Sequence, residues 1–275
     1  MIEIPEAAVI ARQLNKSISG KIVDSVTAAQ SPHKFAWYSG DPKGYSLFLK
    51  DKICGEAYYR GGMVEITFDD KALLFTDGVN LRFHQVKEDW PVKHQLLVEF
   101  EDGTALSASV AMYGGLWCFV RGTNDNPYYL VASQKPSPLT DGFNESYFAG
   151  LFQPEIDKYS LKAFLATEQR IPGLGNGALQ DILYTARMHP KRKVSTLSSG
   201  DKETLYLSIG SVLRKMEKQG GRDTERDLFG NTGGYATCMS KNTVGKPCPI
   251  CGNLVEKQPY LGGSIYFCPG CQHEQ

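Results

Sequence analysis

The sequence predicts a multidomain α+β protein on three observations. After one helix, short β-type stretches fill the first half. Helical periodicity replaces them past residue 142, and the last thirty residues carry two CxxC pairs. A length of 275 residues suits about two domains at roughly 150 residues each. Hydrophobic residues at 41% and charged residues at 22% are ordinary for a folded chain. A core of that size needs no disulfide staples.

Residues 3–16 open with Pro5 and Glu6 and place Ala8, Ile10, Ala11 and Leu14 at helical spacing. A proline and an acid suit a helix N-terminus, so a short amphipathic helix is predicted there. Strands are then expected at 20–26, 45–49, 63–68, 72–76, 95–100 and 116–120. Turn signals separate them at Gly40-Asp41-Pro42, Asp69-Asp70, Asp102-Gly103 and Asn124-Asp125-Asn126-Pro127. Such regular short strands point to an antiparallel sandwich or barrel. Residues 133–142, with Pro136, Pro138 and Gly142, read as a linker. Helices are expected at 144–151, 161–169, 178–187 and 201–219, with Asn176 as the N-cap of the third. Residues 221–246 are rich in Gly, Asn and Thr and read as loop.

Several function classes drop out. Lys and Arg total 30 and so do Asp and Glu, which argues against a polycation coating nucleic acid by bulk charge. The balance hides an asymmetry. Residues 151–275 hold 16 basic and 12 acidic side chains, net +4, against 14 and 18, net −4, before them. A modestly basic second half leaves room for a local anion-binding face. Glu3, Glu6 and Arg12 interrupt any apolar signal-peptide core, and no run is long enough to span a membrane. Seven cysteines, four of them in tight pairs, suit metal ligation in a reducing compartment. A cytoplasmic protein is expected.

The cysteine module is the most specific signal. Cys248, Cys251, Cys268 and Cys271 make C-x₂-C-x₁₆-C-x₂-C, the spacing of a zinc ribbon. Two such hairpins supply four thiolates to one ion, and a closed tetrahedral site is structural. An iron–sulfur cluster is the alternative. Cys54, Cys118 and Cys238 read as inert thiols. The second signal is the turn Pro172-Gly173-Leu174-Gly175-Asn176 between two helical stretches. Glycines there let backbone approach a phosphate, and the next helix N-terminus points free N–H groups at it; an ordinary helical hairpin has the same pattern. His33, His84, His94 and His273 show no ligand spacing, and His189 beside Pro190 reads as a helix end. Lys191-Arg192-Lys193, Arg222 and Arg226 fit either a solvated face or phosphate contacts.

Taken together, Met1-Ile2-Glu3-Ile4-Pro5-Glu6, Ile171-Pro172-Gly173-Leu174-Gly175-Asn176, His189-Pro190 and the terminal ribbon resemble the formamidopyrimidine-DNA glycosylase/endonuclease VIII family. The stretch Gly221-Arg222-Asp223-Thr224-Glu225-Arg226-Asp227 looks closer to the endonuclease VIII side. The resemblance runs over essentially the whole chain. It implies an N-terminal helix on a β-sandwich at 1–132, a helix–two-turn–helix domain at 143–235 and a four-cysteine zinc finger at 236–275. It also implies a monomer acting on damaged DNA, with base excision and strand cleavage through a Schiff base and one structural zinc ion.

The site residues follow one by one. The family's nucleophile is an N-terminal proline exposed by methionine removal; here Ile2 stands in its place, followed by Glu3 matching a catalytic glutamate. Pro5-Glu6 match a structural pair. A lysine is expected after Arg60-Gly61, and Gly62 stands there. An arginine is expected five residues before the third finger cysteine, and Gly263 stands there. Lys162 and Asn176 match phosphate-gripping residues, and Tyr113 corresponds to a wedge phenylalanine. The retained Glu3 favours a glycosylase with or without lyase activity. The replaced proline, lysine and arginine favour a binding protein for damaged or single-stranded DNA with weak or no turnover. A zinc-stabilised protein-interaction module is a third reading, disfavoured by Lys162, Asn176 and the basic second half.

Overall fold

The first helix, α1 (Ile4–Ser17), forms where the spacing places it, with Ala8, Ile10, Ala11 and Leu14 all buried. Pro5 lies in the first turn, where a missing N–H is harmless. The Glu3 N–H donates to the Glu6 carboxylate at 3.2 Å, so the acid closes the turn. The computed structural model describes residues 1–76 and 78–273.

Two sheets follow. One runs in the order β1 (Val23–Ala28), β7 (Leu96–Phe100), β8 (Ala105–Val110), β6 (Val79–His84), antiparallel throughout. The other runs β2 (Ala36–Tyr38), β9 (Gly114–Val120), β5 (Lys71–Phe75), β4 (Met63–Phe68), β3 (Cys54–Arg60). Val26, Val98 and Leu106 from the first meet Ile66, Leu73 and Leu116 from the second in one core, which α1 joins through Ile10 and Leu14. This is the expected helix on a sandwich. One pair departs from the antiparallel expectation: β2 runs parallel to β9 at the sheet edge.

Two local expectations fail for physical reasons. Residues 45–49 form a single helical turn, α2 (Tyr45–Leu49), instead of a strand. A strand would bury Tyr45, Leu47 and Leu49 together; here Tyr45 and Leu49 are buried at i, i+4 spacing while Leu47 is 91% exposed. The Tyr45 hydroxyl donates to the Leu116 carbonyl at 2.8 Å and ties that turn to β9. The second failure is α3 (Pro127–Gln134), which takes up residues read as a turn and the start of a linker. Its signature is Asn126-Pro127: the Asn126 Oδ1 accepts the N–H groups of Tyr128 and Tyr129, and proline occupies the first helical position. Ala132 and Tyr129 then cover Met63, Leu74, Trp117 and Phe119 on the outer face of the five-stranded sheet.

The helical region comprises α4 (Glu145–Ala149), α5 (Leu161–Ala166), α6 (Ala178–Thr185) and α7 (Ser199–Lys218). Asn144, Ser160 and Ser198 cap three of these with their side chains. Phe164, Leu179, Ile182, Leu205 and Ile209 form a second core, to which α1 contributes Ile4. One helix thus enters both cores, and residues 1–6 lie at their junction. Beyond α7, the strands β10 (Glu256–Tyr260) and β11 (Gly263–Phe267) pair as a hairpin. Leu261 and Gly262 turn it with φ of 47° and 71°, the left-handed pair that a two-residue hairpin turn needs. Among the described residues no helix is long and apolar enough to cross a membrane.

Candidate functional site

The segment 1–6 is held from two directions. From the helical side, the Ile4 N–H donates to the Gly173 carbonyl at 3.1 Å. The β3–β4 turn reaches the same place, so closely that a Cβ on Gly173 would lie 2.0 Å from the Gly62 nitrogen. Glycine at 173, with φ of 79°, lets its backbone touch that of Gly61 and Gly62.

Glu3 is the centre of this junction. It is buried, and both its oxygens are engaged. Oε1 accepts the Gly177 N–H at 2.8 Å and Arg222 Nη1 at 3.2 Å. Oε2 accepts the Ala178 N–H at 2.8 Å and the Gly175 N–H at 3.2 Å. These amides begin α6, so Glu3 fills the anion seat at that helix's N-terminus from 175 residues away in sequence. Asn176 is therefore not the N-cap. Gly177 is, and it makes no side-chain cap.

Arg222 lies beneath Glu3, with a side chain only 2% exposed. Its Nε and Nη2 donate to the two Glu6 oxygens at 2.9 and 2.8 Å, and its own N–H donates to Glu6 Oε1 at 3.1 Å. The pair is bidentate, while Glu3 receives a single longer contact. Burial pushes the Glu3 carboxyl above its ordinary range. The Arg222 guanidinium pulls it down, Glu6 pushes it up again, and the Ala178 and Gly177 amides oppose the rise. For Arg222, burial opposes the charged form but the two carboxylates outweigh it and hold the guanidinium protonated.

A cavity of about 680 Å³ opens beside this centre. Met1, Ile2 and Glu3 form one wall, with Trp37, Tyr113 and Trp117 on others; Gly62 also borders it. Among the described residues no lysine or arginine lines it. The Tyr113 and Trp37 rings lie 6.0 Å apart, and the Tyr113 hydroxyl is 3.6 Å from the Met1 sulfur. Ile2 lines the cavity while its side chain packs into the sandwich core. The Met1 ammonium pairs with Glu225 at 2.5 Å. The structure thus brings Ile2, Glu3 and Tyr113 to one cavity.

Lys162 and Asn176 meet elsewhere, against the hairpin. Lys162 Nζ donates to the Tyr260 carbonyl at 2.5 Å and Asn176 Nδ2 to the Ser264 carbonyl at 3.0 Å. Burial lowers the Lys162 pKa. A Cβ on Gly263 would lie 3.4 Å from that ammonium and 3.8 Å from the Asn176 amide, so positions 162, 176 and 263 converge.

No family model matches the chain. Its sequence is 26% identical over 283 residues to the formamidopyrimidine-DNA glycosylase of Lactococcus lactis, covering 100% of both chains. Its fold superposes on the MutM (Fpg) protein of Thermus thermophilus with a TM-score of 0.83 at 24% identity, covering 99% of each chain. It superposes equally, at 0.83 and 24%, on Lactococcus lactis Fpg in complex with DNA containing an abasic site, covering 98% and 99%. Over its full length the chain is similar to formamidopyrimidine-DNA glycosylases in sequence and fold.

The C-terminal cysteines form a compact cluster. The sulfurs of Cys248, Cys251, Cys268 and Cys271 lie within 4.8 Å of one another and could hold a metal ion. Cys248 and Cys271 are 3.8 Å apart, and Cys251 and Cys268 are 3.3 Å apart. Tetrahedral Zn–S bonds of about 2.3 Å put sulfurs about 3.8 Å apart, so the donor set fits. The Tyr184 hydroxyl on α6 lies 3.1 Å from Cys248 and anchors the cluster to the helical region. Cys54 and Cys118 are buried, and burial pushes both thiols up to about 12, as inert thiols require.

Sequence reasoning missed two features of this centre. Arg222 read as a surface or phosphate-facing cation, and the structure buries it between two glutamates. A charged residue in a Gly-rich loop carries no signal of burial; the only hint was the run Gly173, Gly175, Gly177, whose missing side chains make the room. A Cβ on Gly177 would meet Arg222 Nη1 at 1.5 Å. The aromatic lining was the other omission, because Trp37 and Trp117 are 80 positions apart and converge only through the β2–β9 pair. The basic run beyond His189 is engaged within the chain: Lys191 with Gln258, Arg192 with Asp201 and Lys193 with the Lys158 carbonyl. His189 packs edge-on against Phe267, a structural placement.

Proposed function

We propose that this chain recognises damaged DNA and excises a base extruded into the cavity beside Glu3, as a base excision repair glycosylase leaning to the endonuclease VIII-like side. The observation that carries the proposal is the seat of Glu3: a buried carboxylate with a raised pKa, held by the start of α6 on the wall of an aromatic-lined cavity. Full-length likeness to formamidopyrimidine-DNA glycosylases, one solved with abasic DNA, supports the substrate class. A cavity with aromatic rings and, among the described residues, no lysine or arginine suits stacking of an unpaired base better than pairing with a phosphate. Lys162 and Asn176 are proposed to grip phosphates, Tyr113 to fill the space left in the duplex, and the cysteines to hold one structural zinc ion. That ion would crosslink the finger and supply no chemistry. Three hydrophobic clusters support three domains at 1–132, 143–235 and 236–275, with Ile4, Leu228 and Tyr184 packing across the boundaries and the last two residues lying outside the described ones.

In the proposed reaction Glu3 moves a proton to or from the sugar as the base departs, and an N-terminal amine attacks C1′. If Met1 is retained, Glu225 holds its ammonium, and the amine lies about 3.8 Å along the chain from the position next to Glu3. A displacement of ~1 Å can cost about a hundredfold. Base release and strand cleavage are therefore separable here. A second reading, a DNA-binding protein without turnover, draws on the same Met1–Glu225 pair together with Ile2, Gly62 and Gly263.

The test is borohydride trapping on oligonucleotides bearing an abasic site, an oxidised purine or an oxidised pyrimidine, with mass spectrometry of the N-terminus. Base release lost in Glu3→Gln supports the glycosylase. Release unaltered by that change removes Glu3 from the mechanism, and tight binding with no release by the parent protein leaves the second reading standing.

A further inference from the structure

We propose that Arg222 is a positioning residue for Glu3: shared unequally between two buried carboxylates, it fixes Glu3 against α6 and leaves it, rather than Glu6, as the carboxylate that exchanges a proton. The inference deepens the function proposed above and rests on it for its catalytic consequence.

The geometry is asymmetric. Glu6 takes Nε, Nη2 and the backbone N–H of Arg222, all between 2.8 and 3.1 Å. Glu3 takes only Nη1, at 3.2 Å. One positive charge faces two negative ones, so this desolvated centre carries a net negative charge. The surplus falls on the less tightly paired group, and a buried surplus charge is relieved by taking up a proton. Glu6, in the first turn of α1, is buried and does not line the large cavity. Glu3 lines the cavity wall. Arg222 thus separates two neighbouring carboxylates into a fixed anchor and a proton carrier, the division of roles that paired catalytic carboxylates require.

The other charged groups around Glu3 do not alter this. From the loop after α7, Glu225 faces Arg222 and pairs with the Met1 ammonium. From α6, buried Asp181 also feels the Arg222 charge, but its oxygens are taken by the N–H groups of Cys238 and Met239. The 173–178 turn presents only backbone amides. Space for the arrangement is built into the chain: a Cβ on Gly175 would lie 2.6 Å from the Glu3 carboxyl, and one on Gly177 would overlap Arg222.

Two substitutions should drive Glu3 in opposite directions, which a merely structural Arg222 would not do. Arg222→Met removes the positive charge and should raise the Glu3 titration midpoint. Glu6→Gln keeps the shape and an acceptor for Arg222, removes the competing charge, and should lower it. The measurement is a ¹³C-carboxyl NMR titration of the intact protein with labelled glutamate, Glu3 being assigned by the signal lost in Glu3→Gln. Arg222→Lys should hold the midpoint near that of the parent. Base release against pH provides the second readout: its acid limb should follow the same two shifts, with about a hundredfold loss at neutral pH in Arg222→Met. Midpoints unmoved in folded variants, or moved in one direction by both, overturn the proposal. If Arg222→Met fails to fold, Glu6→Gln alone decides: an unmoved or raised midpoint overturns it. A parent protein inert on every oligonucleotide sinks the glycosylase assignment while the titration still decides the role of Arg222.

Discussion

The Glu3–Glu6–Arg222 centre and the Lys162–Asn176–Gly263 junction solve opposite problems. In the first, three charged side chains are removed from water and satisfied by each other and by backbone amides. In the second, one ammonium and one amide rest on neutral carbonyls of the finger, beside a glycine. A buried charge stripped of its partner costs the fold several kcal/mol. A cation on carbonyls keeps its charge unmatched. The first arrangement therefore suits groups whose position must not vary, and the second suits a cation that an incoming anion can share.

The largest effect should come from breaking the finger that forms one side of the second region. Structural zinc contributes about 10–16 kcal/mol of apparent binding energy in isolated finger peptides. Removing the ion with a chelator, or changing Cys268→Ala, should unfold the hairpin and free Lys162 and Asn176 from their carbonyls. Elemental analysis should give one zinc per chain in the parent. Absence of zinc, or undiminished zinc in Cys268→Ala, refutes the assignment.

Next comes the first region itself. Arg222→Met leaves two carboxylates buried without their cation, which costs about 3–5 kcal/mol. Urea unfolding should register that loss, and a change below 1 kcal/mol (roughly a surface effect) would mean that the centre is hydrated. Gly177→Ala probes the same place by volume. Gly177 has helical φ and ψ of −77° and −50°, so alanine suits the backbone, and what opposes it is the clash with Arg222 and, at 2.9 Å, with Glu3 Oε1. Overpacking of this kind costs about 1–3 kcal/mol. A stabilised Gly177→Ala protein would show that the guanidinium can move aside.

The two regions also differ in how much of them a sequence can reveal. The finger was legible because its ligands are local: CxxC pairs at ribbon spacing define the cluster before any folding is considered. α1 was legible because Ala8, Ile10, Ala11 and Leu14 repeat at helical spacing. Glu3 was legible only through the resemblance of its surrounding motif, and its partners were not. Arg222 lies 219 positions from Glu3, and nothing in a Gly-rich loop marks one arginine for burial. The same limit explains Asn176. A polar residue before a helix reads as a cap, yet the cap was already supplied by Glu3, which freed the Asn176 side chain for the finger. Local patterns misled where a distant contact decided, as at 45–49, where the Tyr45 hydroxyl's bond to β9 favours a helical turn.

The smallest effects belong to the junction. If Lys162 grips a phosphate as proposed, Lys162→Ala should weaken every oligonucleotide by a similar factor, because phosphate contacts position a duplex without reading it. The slope of log affinity against log salt should flatten by about 0.9 for the one contact removed. Lys162 also ties the finger to α5 through Tyr260, so weaker binding alone would not distinguish lost charge from a loosened finger. The salt slope does. A displaced finger changes affinity at all salt concentrations alike, whereas a lost ion contact is felt most at low salt. Gly263→Ala is the control, since its Cβ would meet the flexible end of Lys162 at 3.4 Å and the Asn176 amide at an ordinary 3.8 Å. Its effect on stability should stay within about 0.5 kcal/mol, and its salt slope should match the parent's. An unchanged slope in Lys162→Ala would leave that lysine as a strut of the finger, and the phosphate grip would pass to Asn176 and the amides of the hairpin.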